Sequence, residues 1–130
     1  MGAHVHFRYD AGANLLFSED HARLESREQV DEFVNEYASY CKTLGKKCWL
    51  VTNIDDLFIA GQVADYYAEA SAPLISRNFL GFARWATNSW ARMSVRTTAL
   101  KAKMSATIYT SQEEAVAAIE ELRRANSQQP

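Results

Sequence analysis

The feature of this chain that most constrains its fold is a short, almost wholly apolar run near the middle, from Cys48 to Ile54. A strand with one face in water alternates apolar and polar residues, whereas a strand buried on both faces is continuously apolar. This run is too apolar for a one-sided strand. It therefore predicts a central, buried strand, followed by a predicted loop from Asp55 to Gly61.

A helix is predicted before that strand. Ser26, with Gln29 three residues later, has the spacing of a capping box, and Val30 to Leu44 places apolar residues on one helical face. Gly45 is expected to end this helix, because glycine readily adopts the left-handed conformation of a C-terminal cap.

Two further helices are predicted later in the chain. Val63 to Leu74 carries a second helical stripe, which Pro73 is expected to end or distort. Ser111 with Glu114 forms another capping box, and Ala115 to Leu122 supplies the apolar face of a final helix.

The helix predicted between these two has faces of different character. The side chains that offer N-cap oxygens are Thr87, Asn88 and Ser89. The apolar stripe, which we expect to face the core, consists of Trp90, Met93, Thr97, Leu100 and Met104. The opposite, basic face consists of Arg92, Arg96 and Lys103.

The remaining strand patterns complete the order β-β-α-β-α-β-α-β-α. The first is Val5 to Tyr9, and the second, its partner in a hairpin, starts with Asn14 to Phe17 and ends between Ser18 and Leu24. The later ones are Phe82 to Ala86 and Ala106 to Tyr109. Right-handed crossovers make the later strands parallel and cover the sheet with helices. The prediction is one α/β domain over residues 1–125, with a mixed sheet of about five strands and about four helices, and a disordered tail over residues 126–130.

Composition agrees with a single globular domain. The chain has 130 residues, of which 48% are apolar, enough to build one core. It contains neither a long apolar run nor the pattern of a signal peptide, so we expect a soluble cytoplasmic protein. Cys41 and Cys48 lack CxxC spacing and clustered histidines, and both are expected to be reduced and partly buried.

Charge is distributed unevenly along the sequence. Residues 71–112 contain six Lys and Arg and no Asp or Glu, so this segment carries +6 and the rest of the chain −8. The candidate binding residues in this basic segment are Arg84, Arg92, Arg96 and Lys103, with the indole of Trp85 nearby. Such a surface suits an acidic partner, a small anion, nucleic acid or a second copy of the chain, and it is equally typical of a solvated helix face.

Polar residues after the strands are the other candidates. Ligands of open α/β sheets lie beyond the carboxyl ends of the parallel strands, where Asp55 and Asp56 are expected. These residues are interpreted first as helix caps and turn residues. Adjacent aspartates are a poor metal site, and Asp20 with His21 is interpreted as a polar turn or strand edge. No catalytic, metal or cofactor site is predicted.

The element order and two local patterns resemble the STAS and SpoIIAA-like domains related to anti-sigma-factor antagonists. The strand Ala106 to Tyr109 followed by Ser111 to Ala115 is similar to the closing unit of that group, and Phe82 to Ala86 followed by Trp90 is similar to its penultimate unit. The resemblance implies a regulatory domain that binds proteins. The group's phosphorylatable serine turn is replaced here by Asp55 to Gly61, so no serine switch is expected at that place.

These patterns together predict a non-catalytic domain that binds another protein or itself as a homodimer. The first alternative is a binding domain for a small anionic or lipid-like ligand, with Arg84, Arg92 or Arg96 for charge and Phe58, Phe82 or Trp85 as an apolar wall. The second is weak nucleic-acid binding through the basic segment. A pocket with two or more convergent titratable groups of shifted pKa would count against the non-catalytic interpretation.

Overall fold

One sheet organises the chain. The computed structural model describes residues 4–101 and 107–127, and within them the sheet has five strands. The strands are β1 (Val5–Asp10), β2 (Leu15–Leu24), β3 (Cys48–Ile59), β4 (Phe79–Trp85) and β5 (Ile108–Tyr109). The helices are α1 (Arg27–Leu44), α2 (Ala64–Asn78), which follows a 3₁₀ turn at Gly61–Val63, α3 (Ser89–Lys101) and α4 (Gln112–Ser127).

The strands lie side by side in chain order, β1-β2-β3-β4-β5. Strand β1 pairs antiparallel with β2, and every later pairing is parallel. The predicted α/β class, mixed sheet and element order are therefore confirmed in the described residues.

Apolar side chains pack on both faces of the sheet. On one face a large cluster joins the sheet to α1, α2 and α3, with Phe33, Leu74 and Val95 as examples from the three helices. On the other face Trp49 and Val51 of β3 pack with Ala115 and Ile119 of α4. Strand β3 is thus covered on both sides, as its continuous apolar sequence predicts.

The signals at helix ends are confirmed. The Ser26 hydroxyl accepts a hydrogen bond from the Gln29 backbone N–H at 3.2 Å, and Gly45 ends α1 with φ of 70°. The Ser111 hydroxyl accepts from the Glu114 N–H at 3.2 Å at the start of α4. This last helix continues to Ser127, past the predicted boundary at residue 125, and residues 128–130 lie outside the described part.

The loop predicted from Asp55 to Gly61 is wrong, because β3 continues to Ile59. Glu19 pairs with Asn53 and His21 pairs with Asp56, so the single residue Asp20 on β2 lies opposite two residues of β3. This β-bulge lets the polar pair Asp55 and Asp56 remain in the strand, since it shifts the alternation of side chains by one residue.

Of the two effects predicted for Pro73, ending or distorting its helix, the first does not occur. Pro73 lies inside α2, which runs on to Asn78. A proline removes one helical hydrogen bond at a cost of roughly 3 kcal/mol. Packing of the neighbouring Leu74 and Ile75 against the core offsets that cost.

The predicted core face of α3 is also wrong where it is described. Trp90 and Met93 are 77% and 61% exposed, whereas Ala91 and Val95 are buried. The side chains of Thr97 and Leu100 and the whole of Lys103 and Met104 lie outside the described residues.

Strand β4 begins three residues before the predicted Phe82. Strand β5 is Ile108–Tyr109, so Thr107 of the predicted strand lies outside it, and Ala106 lies outside the described residues. Cys41 and Cys48 are free and buried, as predicted. No helix within residues 4–101 and 107–127 is long and apolar enough to cross a membrane.

Candidate functional site

A row of polar side chains crosses the buried face of the sheet. Ser18 of β2 pairs with Thr52 of β3, and Thr52 pairs with Arg84 of β4. All three are buried, with exposed fractions of 3%, 4% and 7%. Asp20, the next inward-facing residue of β2, is 4% exposed. Core positions of a central sheet are usually apolar, so four polar side chains here mark an exceptional part of the core.

Tyr37 of α1 connects this row. Its hydroxyl donates a hydrogen bond to the Asp20 carboxylate, lies 2.8 Å from the Ser18 hydroxyl and is 3.4 Å from that of Thr52. Because the Tyr37 proton is directed to Asp20, the Ser18 hydroxyl is the donor in its contact with Tyr37. Hydrogen bonds among Tyr37, Asp20 and Ser18 therefore hold these side chains in place.

The β-bulge lies at the same place. Asp20 of β2 lies opposite two residues of β3, Ile54 and Asp55. Bulges are rare between parallel strands and are common beside functional sites, where they change the direction of side chains. Here the bulge ends the regular ladder next to the buried carboxyl group.

A cavity of about 50 Å³ lies between this row and helices α1 and α2. Its polar lining is Asp20, Tyr37, Thr52, Tyr67, Ser71 and Arg84. Its apolar lining is Phe33, Val34, Leu50, Ile54, Leu57, Leu74, Ile75, Phe79 and Phe82. The cavity is thus a small apolar space with one polar wall. Its volume is about one third of the roughly 150 Å³ of a cavity that holds benzene, so it accommodates only a molecule of a few non-hydrogen atoms.

Burial shifts the titration of the groups in this wall. Desolvation raises the pKa of Asp20 to about 7, although its hydrogen bonds with Tyr37 and Thr52 and the charge of Arg84 act in the opposite direction. Desolvation and the neighbouring Asp20 raise the pKa of Tyr37 above its usual range, and desolvation of the Tyr67 hydroxyl raises the pKa of Tyr67. Both phenols therefore act as neutral hydrogen-bonding groups near neutral pH.

Arg84 gives the cavity a permanent positive charge, since a guanidinium stays protonated in proteins. Its guanidinium carbon lies 4.7 Å from the centre of the Phe82 ring, which positions the group along the cavity wall. A fixed cation, a carboxyl group that titrates near neutrality and several hydroxyl groups can together bind the polar end of a small molecule.

The predicted basic set does not come together. Arg84 lines the cavity, whereas Trp85, the next residue, packs with the α4 cluster on the other face of the sheet. Arg92 and Arg96 line a separate groove with Ser89, Met93, Thr107 and Ile108, and Arg92 donates a hydrogen bond to the Ala86 carbonyl at 2.6 Å. Lys103 lies outside the described residues.

The two predicted aspartates are used within the fold. Asp55 accepts hydrogen bonds from the Asn88 N–H at 2.7 Å and the Thr87 hydroxyl at 3.0 Å, so it holds the start of α3 and acts as a cap. A carboxylate oxygen of Asp56 lies 2.9 Å from a ring nitrogen of His21, and neither residue lines the cavity. Asp56 is a strand residue rather than a turn residue. The described residues contain no cluster of metal-binding side chains.

The central residues of the cavity were missed by sequence reasoning. Asp20 is a buried strand residue, so its interpretation as a polar turn or strand edge is wrong. The available signal was alternation, because the inward positions of β2 are Leu16, Ser18, Asp20, Ala22 and Leu24. That pattern places the carboxyl group on the apolar face, where it needs partners.

The cavity meets the condition stated against a purely non-catalytic domain, because titratable groups with shifted pKa converge in it. Comparison of the chain with protein-family models, curated proteins and solved structures finds no match. The geometry of the cavity is therefore the basis for a functional proposal.

Proposed function

We propose that this domain binds a molecule of only a few non-hydrogen atoms, with an apolar part and a polar end, in the cavity beneath α1 and α2. One observation carries the proposal: the apolar cavity borders directly on Asp20, Thr52 and Arg84, which are buried on neighbouring strands. Among the functions inferred from the sequence, this is the binding domain for a small anionic or lipid-like ligand. Arg84 and Phe82, expected to supply charge and apolar wall, line this cavity, whereas Phe58 and Trp85 are not among its lining residues.

The hydrogen bonding of the wall favours binding by a preformed site. In the described residues, every buried side-chain nitrogen and oxygen has a hydrogen-bond partner. The polar groups are consequently held in place before a ligand arrives, which reduces the entropy lost on binding. The bulge and the central strands provide a rigid base, and helices α1 and α2 provide the apolar cover.

We propose binding rather than turnover because two of the described histidines are hydrogen-bonded to carboxylates outside the cavity. His4 contacts Glu36 at 2.7 Å and His21 contacts Asp56 at 2.9 Å. No histidine is among the residues that line the cavity in the described part of the chain, and activated serine nucleophiles usually need such a base beside them.

Native mass spectrometry of gently purified protein tests the proposal. A co-purified molecule is expected to add mass to the wild type and to be lost in Leu74→Trp, which fills the cavity from α2. Leu122→Trp is the matched control, because Leu122 is exposed on α4, on the opposite face of the sheet. Thermal unfolding is also measured with added straight-chain carboxylates and alcohols of increasing length, because a bound ligand raises the unfolding temperature. The longest chain that raises this temperature gives the size that the cavity accepts. Absence of bound mass together with no thermal shift in any series would contradict the proposal.

A second candidate, association with another copy of the chain, rests on the surface of α3. Trp90 is 77% exposed and lies near Arg92 and Arg96 in sequence, and Trp and Arg are enriched at the energetic centres of protein interfaces. The acidic remainder of the chain offers a complementary charge. Sedimentation velocity over a range of protein and salt concentrations tests this, and Trp90→Ser should weaken the dimer. A wild type that stays monomeric at every protein and salt concentration would exclude self-association. The other alternative, nucleic-acid binding, would require an affinity for nucleic acid that falls steeply as salt concentration rises.

We also infer a STAS-like fold. The inference is supported by the leading antiparallel pair, the alternating helices and strands, and the strand order that follows the chain. An experimental structure that superposes on that group would test it.

A further inference from the structure

An open groove of about 570 Å³ lies at the end of the sheet. Its lining comes from the last residues of β2 and β3 and the first residues of α3, with His4 just before β1. Ligands of open α/β sheets bind beyond the carboxyl ends of the parallel strands, which is where this groove lies. Its volume is within the range of about 300–1,000 Å³ that is typical of small-molecule sites. Among the described residues, Leu57 alone lines both this groove and the small cavity.

Two large aromatic side chains are exposed in the groove. Trp90, at the start of α3, is 77% exposed, and Phe58 of β3 is 38% exposed. The guanidinium carbon of Arg23 lies 4.7 Å from the centre of the Phe58 ring, so one face of that ring already contacts a cation. Aromatic faces attract cations, and tryptophan does so most strongly. Trp90 therefore offers an open ring to a cation from solution.

The groove is negatively charged. Asp55 and Asp56 line it, and three further carboxylates contact its lining, namely Glu36 at His4, Glu19 at His21 and Glu25 at Arg23. The described lining has one arginine, so these groups carry a net charge of −4 when the two lining histidines are neutral and −2 when both are protonated. A negative potential beside an exposed aromatic ring attracts a cation and repels an anion.

Asp56 is the carboxylate that such a ligand can reach. Its side chain is 73% exposed, and one of its oxygens contacts His21 at 2.9 Å. A carboxylate accepts about four hydrogen bonds through its two oxygens, so the contact with His21 leaves room for another donor. Asp55 differs, because it accepts hydrogen bonds from Thr87 and Asn88 and contributes to the groove through its charge.

We propose that this groove binds a small organic amine in its protonated form. The ammonium group donates a hydrogen bond to Asp56, and the Trp90 ring packs against the carbon atoms next to that group. The site goes beyond the proposed function of the cavity and does not depend on it, so either site can fail without the other.

Two-dimensional NMR of the isotope-labelled full chain at low ionic strength tests the proposal with three probes. They share a phenyl ring and differ in charge: the cation phenethylamine, the neutral phenethyl alcohol and the anion phenylacetate. Phenethylamine should shift the indole N–H signal of Trp90 and the backbone amide signal of Asp56. Its dissociation constant should be about tenfold lower than that of the alcohol, and phenylacetate should bind more weakly than either.

Variants at exposed positions separate the two contacts. Asp56→Asn should bind the amine no more tightly than the alcohol, whereas Asp65→Asn, at an exposed position of α2, should keep the wild-type preference. Trp90→Leu should weaken the binding of both probes, whereas Met93→Leu, on the same helix beside the other groove, should not.

Three results would overturn the proposal. The first is equal affinity of the wild type for the three probes, and the second is equal affinity of the wild type and Asp56→Asn for the amine. The third is a loss of amine binding in Leu74→Trp, which would place the amine in the cavity instead. If the Trp90 signal responds to protein concentration and not to the amine, the exposed ring serves self-association and the proposal also fails.

Discussion

Replacement of Asp20 by asparagine should change how the stability of the domain depends on pH. Asp20 has a native pKa of about 7 against an ordinary value of 3.8, because burial disfavours its charged form. Between these two values the native state binds the proton more tightly than the unfolded chain does. Stability therefore decreases as pH rises through this window, the reverse of the usual behaviour of a salt-bridged aspartate.

The size of the effect follows from the pKa difference. One pKa unit corresponds to about 1.4 kcal/mol, so a shift from 3.8 to about 7 removes about 4 kcal/mol of stability by pH 8. An asparagine side chain does not titrate, and its amide oxygen can accept the hydrogen bond from Tyr37. We expect the variant to match the wild type near about pH 4 and to be more stable by up to about 4 kcal/mol at about pH 8.

Urea unfolding at several pH values, followed by tryptophan fluorescence, measures this difference. His21, whose pKa is raised mainly by its hydrogen bond to Asp56, contributes similarly to both proteins and cancels in the comparison. Asp65→Asn, at an exposed position of α2, is the matched control and should keep the wild-type pH profile. Parallel profiles for the wild type and Asp20→Asn would refute the argument that burial raises the pKa of this carboxyl group.

Three further substitutions test the packing of the sheet and the ends of two helices. Gly81→Ala places a methyl group 2.6 Å from the buried ring of Trp49, so urea unfolding should show a loss of about 1–3 kcal/mol. Gly45→Ala meets no atom within 4 Å, but φ is 70°, so a loss of about 1 kcal/mol is expected and Gly45→Asn should lose less. Asp55→Ala removes two acceptors at the start of α3 and should cost about 1–2 kcal/mol, with faster hydrogen exchange at the Asn88 amide; unchanged exchange would show that this aspartate does not hold the helix.

Local signals predicted the elements well where one interaction decides the conformation. The Ser26 cap and the left-handed Gly45 fix both ends of α1 through short-range contacts that sequence spacing reveals. The central strand was predictable from composition alone, since burial on both faces leaves few polar positions.

Local signals did not predict which face of α3 is buried. Trp90 and Met93 are the larger apolar residues, yet Ala91 and Val95 are the ones that pack against the sheet. Short side chains allow a helix to approach its neighbour closely, and hydrophobicity per residue does not indicate that preference. Tertiary packing likewise overrides the helix-breaking tendency of Pro73.

The cavity could be predicted only in part, because its groups converge from distant parts of the chain. Arg84 was a candidate from its charge, but its neighbours on the adjacent strands, Thr52 and Ser18, are assigned by register. The bulge opposite Asp20 changes the β2–β3 register directly after these pairings, and no short motif encodes a bulge between parallel strands.

The stability of a variant that lacks Asp20 and Arg84 distinguishes a structural role of these residues from a functional one. Buried charged groups are often replaced by apolar residues of similar volume without loss of stability, so stability alone gives little reason to keep Asp20 and Arg84 in this core. The double variant Asp20→Leu, Arg84→Met should therefore unfold at a urea concentration equal to or above that of the wild type at about pH 8. A double variant that is much less stable than the wild type would instead assign the pair to the architecture of the sheet.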